Sequence, residues 1–305
     1  MLKNQSKNRV KMRAIKSIVV IIFVFICTNF VIADTSITTH QVKIGEHNVF
    51  YNAAGKGDKV ILFLHGLFAN KEQWQPIMKY FSDRGYYTVA LDLPGYGKSS
   101  GYPLSIYTIE NQAVLLKEFV DKKGLKNINL AGNSLGCAVA IAFTEKYQND
   151  IKTLALLGGP AGLGKWSPEI MNAMTSGMNP FIPLSEKEFK EEMSLLFFKP
   201  PAIPEEKIKK IVSGYKKNLK RYTLIFNIFN MTIYDFILNF NISFDKPTLI
   251  VWGKEDKILS ASDAKTAQKK IPGSKLKILD NAGHLLMIEN AEEVGKIYLK
   301  FLNVE

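Results

Sequence analysis

The chain has 305 residues, 47% of them hydrophobic and 11% aromatic, which suffices for one large packed domain or a core domain carrying an insertion. Low-complexity tracts, heptad periodicity and solenoid repeats are absent from it, which excludes fibrous, coiled-coil and repeat architectures. The formal charge of +12 invites a nucleic-acid reading, but six of the cations sit unopposed in the first 16 residues, so half of that charge belongs to a terminal segment rather than to a binding surface.

That segment, "MLKNQSKNRVKMRAIK", is followed by the apolar run "SIVVIIFVFICTNFVIA" ending at Ala33. A basic start, a hydrophobic stretch and Val31-Ile32-Ala33 at its end predict an export signal over residues 1–33, cleaved after Ala33, or else an uncleaved N-terminal membrane anchor. Either version puts the remainder outside the cytoplasm: periplasmic, secreted, or held at the inner membrane. Of the two cysteines, Cys27 lies in this segment and Cys137 in the body, so the body cannot form an internal disulfide.

The body opens with alternating strands around an Ile44-Gly45-Glu46 turn, a hairpin, and "KVILFLHG" from Lys59 reads as a buried strand stopped at His65-Gly66. Strand-like runs at Tyr87 to Leu91, Asn127 to Ala131, Thr153 to Leu157, Thr248 to Trp252 and Lys275 to Leu279 alternate with helical patterns. This predicts an α/β fold with a mostly parallel central sheet and helices on both faces. The alternation lapses over residues 160–245, where Met, Phe, Lys and Pro dominate. Those residues are expected to form a helical cap over the carboxyl ends of the strands, with 34–159 and 246–305 as the core.

The chemistry starts at "INLAGNSLGCAVAIAF", where one Ser interrupts a buried strand as it turns into a helix. Gly132-Asn133-Ser134-Leu135-Gly136 fits G-x-S-x-G in its required strand–turn–helix setting. The sharp reversal forces Ser134 to a positive φ, the flanking glycines make room, and the hydroxyl is lifted to a helix N-terminus. A Ser hydroxyl needs a base, and only His40, His47, His65 and His284 exist. His284, in the loop "DNAGHLLMIEN" after the last strand, is the candidate, whereas His65 precedes the nucleophile and reads as a structural loop residue. Asp256 in "TLIVWGKEDKILS" is the candidate acid, with Glu255 its nearest competitor and Asp280 too close before His284. The order Ser134, Asp256, His284 is that of one triad arrangement in particular. An oxyanion hole is expected from the backbone N–H groups of Leu135 and Leu67, with Gly66 leaving space for a ligand.

On these residues the chain resembles the α/β-hydrolase superfamily. "HGLFANKEQW", "LDLPGYGKSS", "LAGNSLG", "VWGKED" and "NAGHLLMIENAEEVGKIYLKFL" are similar in order to exported bacterial lipases and esterases grouped as family V. Two departures stand out. Cys137 replaces a Gly that commonly follows the elbow, and reads as a small core residue; Phe68 replaces a small residue in the oxyanion loop, and is expected to line and shorten the substrate pocket. "GYGKS" at Gly95 to Ser99 lacks the spacing of a phosphate loop.

The resemblance implies a serine hydrolase of carboxylic esters acting through an acyl-enzyme, with no metal and no cofactor, on a small-molecule ester or lipid rather than a nucleic acid. C–C bond hydrolysis of ring-cleavage products is the alternative, and an inactive binding protein on the same fold a more remote one. Dehalogenases and epoxide hydrolases carry Asp where Ser134 stands. In the cap stretch, Met171, Met174, Met178, Phe181, Met193, Leu195, Leu196, Phe197 and Phe198 form a core between helices or line an acyl tunnel, and Lys216, Lys217, Lys220 and Arg221 are solvated or dock on anionic lipid.

Overall fold

The computed structural model describes residues 37–159, 166–239 and 243–304. The segment read as signal or anchor, 1–33, lies outside them.

An antiparallel hairpin, β1 (Thr38–Ile44) and β2 (His47–Ala54), opens the body, turning at Gly45-Glu46 as the sequence predicts. β3 (Val60–Leu64), α1 (Gln75–Ser82), β4 (Tyr87–Leu91), α2 (Ile109–Lys123), β5 (Ile128–Asn133), α3 (Leu135–Tyr147) and β6 (Ile151–Leu157) then alternate. Four helices follow before the next strand: α4 (Pro168–Thr175), α5 (Glu186–Leu196), α6 (Glu205–Lys217) and α7 (Leu219–Asn239). The chain ends with β7 (Thr248–Gly253), α8 (Ala264–Lys270), β8 (Lys275–Leu279), α9 (Leu286–Glu289) and α10 (Ala291–Leu302).

The eight strands form one sheet in the order β1-β2-β4-β3-β5-β6-β7-β8, parallel from β4 to β8. The α/β reading with a mostly parallel sheet is borne out. β3, β5 and β7 are buried along their whole length, as expected of strands covered on both faces. The two-residue period of β3 divides its side chains: Leu62 and Leu64 join one core, while Ile61 and Phe63 join a second core with α1 and α10. α3 is buried almost all round, Cys137 included, which explains its nearly unbroken apolar sequence.

The helix ends follow local chemistry. Thr108 caps α2 by accepting from the Asn111 N–H at 3.2 Å, and Gly124 closes it in the left-handed conformation. Ser185 caps α5 through the Glu188 N–H.

Strand order fixes where a site can form. From β3 the chain passes to β4 on one side and then to β5 on the other, so the loops leaving β3 and β5 diverge over a crevice at the carboxyl edge. Ser134 and the loop after Leu64 both lie there.

Candidate active site

Ser134 stands at the β5–α3 junction with φ 53° and ψ −115°, the positive φ that the reversal demands. The flanking glycines are sterically enforced: a Cβ at Gly132 would lie 2.3 Å from the Gly136 carbonyl oxygen, and one at Gly136 would lie 2.2 Å from that of Leu64. Ser134 itself is half-buried and lines a cleft.

His284 lines the same cleft. Its Nδ1 lies 2.8 Å from Oδ2 of Asp256, and both side chains are buried. The other Asp256 oxygen, Oδ1, accepts the N–H groups of Ile258 at 2.9 Å and Leu259 at 3.0 Å. Those two bonds orient the carboxylate and leave Oδ2 to the imidazole, which fixes the proton on Nδ1 and turns the Nε2 lone pair outward. Glu255 faces elsewhere, accepting from the Ala282 N–H at 3.0 Å, and Asp280 forms an exposed ion pair with Lys254.

Leu67, Phe68 and Gly66 also line the cleft. A Cβ at Gly66 would lie 3.3 Å from Cβ of Ser134, so the backbone after β3 runs hard against the elbow. Leu135 is the first residue of α3, where helix N–H groups lack an intrahelical acceptor. Phe68 occupies the left-handed region at φ 54°, rare for an aromatic residue, and its ring meets Tyr222 of α7 edge-on at 5.0 Å.

His65 is fully buried with both ring nitrogens engaged: Nε2 accepts the Leu93 N–H at 2.9 Å, so Nδ1 carries the proton and donates to the Gly66 carbonyl at 2.8 Å. Desolvation pulls its pKa down to about 4, against the opposing pull of Asp92. It is a neutral strut beneath the loop.

Sequence reasoning passed over several supports. Lys71 and Asp92 form a buried pair, Nζ to Oδ2 at 2.9 Å, and Asp92 also accepts the N–H groups of Lys71 and Lys98. This ties the loop after β3 to the loop after β4. Asn133 donates to the carbonyls of Leu157 and His284, at 2.8 and 3.3 Å. The His284 N–H donates to the Leu196 carbonyl at 2.9 Å, and Glu289 accepts from Gly283 and Lys199, so the histidine loop is fastened to the segment that ends α5. Asp92 and Asn133 lie inside motifs legible in the sequence; the pairing of Lys71 with Asp92 leaves no local signal.

Of the apolar residues expected in the insertion, Phe181, Met193, Leu196 and Phe197 line the cleft, whereas Met171 and Phe198 are exposed. Arg221 is anchored to the core, donating to the Tyr102 carbonyl at 3.1 Å and the Tyr107 hydroxyl at 2.9 Å. Burial raises the thiol pKa of Cys137, which donates to the Gly132 carbonyl at 3.1 Å and is inert packing. Among the described residues no His/Cys/Asp/Glu group is arranged to hold a metal ion, and no helix is long and apolar enough to cross a membrane.

The family described as the alpha/beta hydrolase fold matches residues 59–190 and 203–291. A lipase of Psychrobacter immobilis is 27% identical over 279 residues, covering 89% of this chain and 86% of its own. A monoacylglycerol lipase of Xenopus laevis is 29% identical, covering 85% and 80%. Among solved structures, a membrane phospholipase A described as a bacterial virulence factor superposes with a TM-score of 0.80 at 25% identity, covering 88% of this chain and 86% of that one.

Proposed function

The chain belongs to the alpha/beta hydrolase fold family, and from that premise we propose that it is a serine hydrolase cleaving carboxylic esters of apolar acyl chains through an acyl-enzyme. The observation that carries the proposal is the buried Asp256–His284 hydrogen bond opening onto the cleft that Ser134 lines. Its lipase, monoacylglycerol lipase and phospholipase relatives point to the same chemistry.

In this reading Ser134 Oγ attacks the ester carbonyl while Nε2 of His284 takes its proton. Asp256 stabilises the imidazolium, and the N–H groups of Leu67 and Leu135 receive the oxyanion. The tetrahedral intermediate collapses, the alcohol leaves with the proton from Nε2, and water activated by the same histidine releases the acid. No metal or cofactor enters these steps. The four helices α4 to α7 act as a cap whose Phe181, Met193, Leu196 and Phe197 receive hydrocarbon. We further propose that residues 1–33 direct this domain out of the cytoplasm; a mature N-terminus at Asp34 would establish cleavage, and an intact one anchoring.

The test is a hydrolysis panel on the purified chain: esters from acetyl to long acyl, emulsified triglyceride and a ring-cleavage dienone. Ester turnover abolished by Ser134→Ala is expected. Turnover of the dienone alone would move the assignment to C–C bond hydrolysis, and inertness toward every compound would favour a binding protein.

A further inference from the structure

The cleft is walled mainly by hydrocarbon, yet Glu192 of α5 stands in that wall beside Met193. Glu192 is only 4% exposed, and its Oε2 has no hydrogen-bond partner among the described residues. Two further lining residues repeat the pattern: Glu72 Oε2 and Gln73 Oε1 are buried acceptor oxygens without a partner. Glu72 uses its other oxygen on Lys71 at 2.7 Å, and Gln73 spends its amide nitrogen on Asn133. Burial of unsatisfied oxygens is destabilising, so their presence around one cleft calls for a ligand that supplies donors.

We propose that Glu192 is a specificity-determining residue that binds a free hydroxyl of the substrate, so that the preferred ester carries an O–H group as well as a hydrocarbon chain. The proposal rests on the ester-hydrolase reading above. Desolvation raises the Glu192 carboxyl well above the ordinary carboxylate range, which favours its neutral, protonated form. A protonated carboxyl donates one hydrogen bond and accepts another. A hydroxyl answers both, or accepts from Glu192 while giving its one proton to Glu72 or Gln73 instead, whereas a ketone offers no donor and a hydrocarbon offers neither. In an apolar wall a hydroxyl without such partners would bind worse than the methyl it replaces.

The experiment compares matched esters on the full chain. One pair carries the hydroxyl on the alcohol, 2-hydroxyethyl against n-propyl; a second carries it on the acid, 6-hydroxyhexanoyl against heptanoyl; a choline ester supplies a cation instead. At least one hydroxyl ester should exceed its hydrocarbon partner about tenfold in kcat/KM, the discrimination expected of one net hydrogen bond, and the pair showing it identifies the half of the substrate concerned. Glu192→Leu should collapse that ratio to one or below without lowering Tm, because it removes a buried carboxyl whose Oε2 has no hydrogen-bond partner. Glu192→Gln, which still donates and accepts, should retain most of it.

Equal turnover within both pairs, a preference that survives Glu192→Leu, or a choline preference abolished by Glu192→Gln would each overturn the assignment. An enzyme that reacts with no ester and is not labelled by a fluorophosphonate overturns the underlying reading itself, which separates the two failures.

Discussion

The two oxygens of Asp256 are divided between backbone and imidazole, and that division makes the residue testable against its neighbour. Asp256→Asn leaves the side chain in place but presents the wrong group to Nδ1 in some or all molecules. A loss of about four orders of magnitude in kcat is expected, as for the same change in serine proteases. Glu255→Gln, which alters only a contact to the Ala282 backbone, should retain most activity. His65 yields a different measurement. Its folded pKa of about 4 lies below the unfolded value near 6.5, so below pH 6.5 the unfolded chain binds a proton that the folded chain refuses. Its contribution is therefore present above pH 6.5 and is lost as the pH falls toward 4, roughly 3 kcal/mol in all. Ring NMR should find His65 neutral at pH 5, and urea midpoints should fall between pH 7 and 4.5; an imidazole titrating near 6.5 would contradict this. Ser134, Asp256 and His284 were nameable from the sequence because each sits in a short local motif. Glu192 was not, since an acid in an amphipathic helix reads as solvated until the fold buries it.

Among the elements, the strands were the most legible. Short runs such as "VILFL" and "TLIVW" have the length and composition of doubly covered strands, and all of the predicted strand runs are strands. The insertion was legible as helical but not by face, because α7 is apolar around most of its circumference, and the residues that meet the cleft, Phe181, Met193, Leu196 and Phe197, come instead from α5 and the segments beside it. The loop after β3 belongs to the same scale, since it is held by the Lys71–Asp92 pair across two connections. Asp92→Asn should cost about 2 kcal/mol in urea denaturation, because it leaves the buried Lys71 ammonium with the Glu72 carboxylate as its remaining charged partner. On that loop Phe68 bridges to Tyr222, so Phe68→Gly both relaxes a left-handed backbone and opens space below α7. We expect wild-type activity to peak at short to medium acyl chains and the peak to move to longer chains in Phe68→Gly. Each added methylene contributes about 0.8 kcal/mol until the pocket fills. An unchanged profile would show that the ring does not limit the chain, and a profile flat from acetyl upward would remove the acyl pocket.

At the scale of the whole molecule, one twisted sheet brings residues from positions 66 to 288 of the chain onto a single cleft. The reversal of strand order around β3 puts the loop after β3 beside the elbow, and the loops after β7 and β8 deliver Asp256 and His284 from the other side. If this convergence makes Ser134 a nucleophile, titration with a fluorophosphonate followed by mass mapping of the adduct reads it out directly. One phosphonyl group per chain is expected, located on Ser134, with ester turnover falling in proportion to labelling and no adduct in Ser134→Ala. Labelling at another residue, or ester turnover that persists in the Ser134→Ala protein, would contradict it.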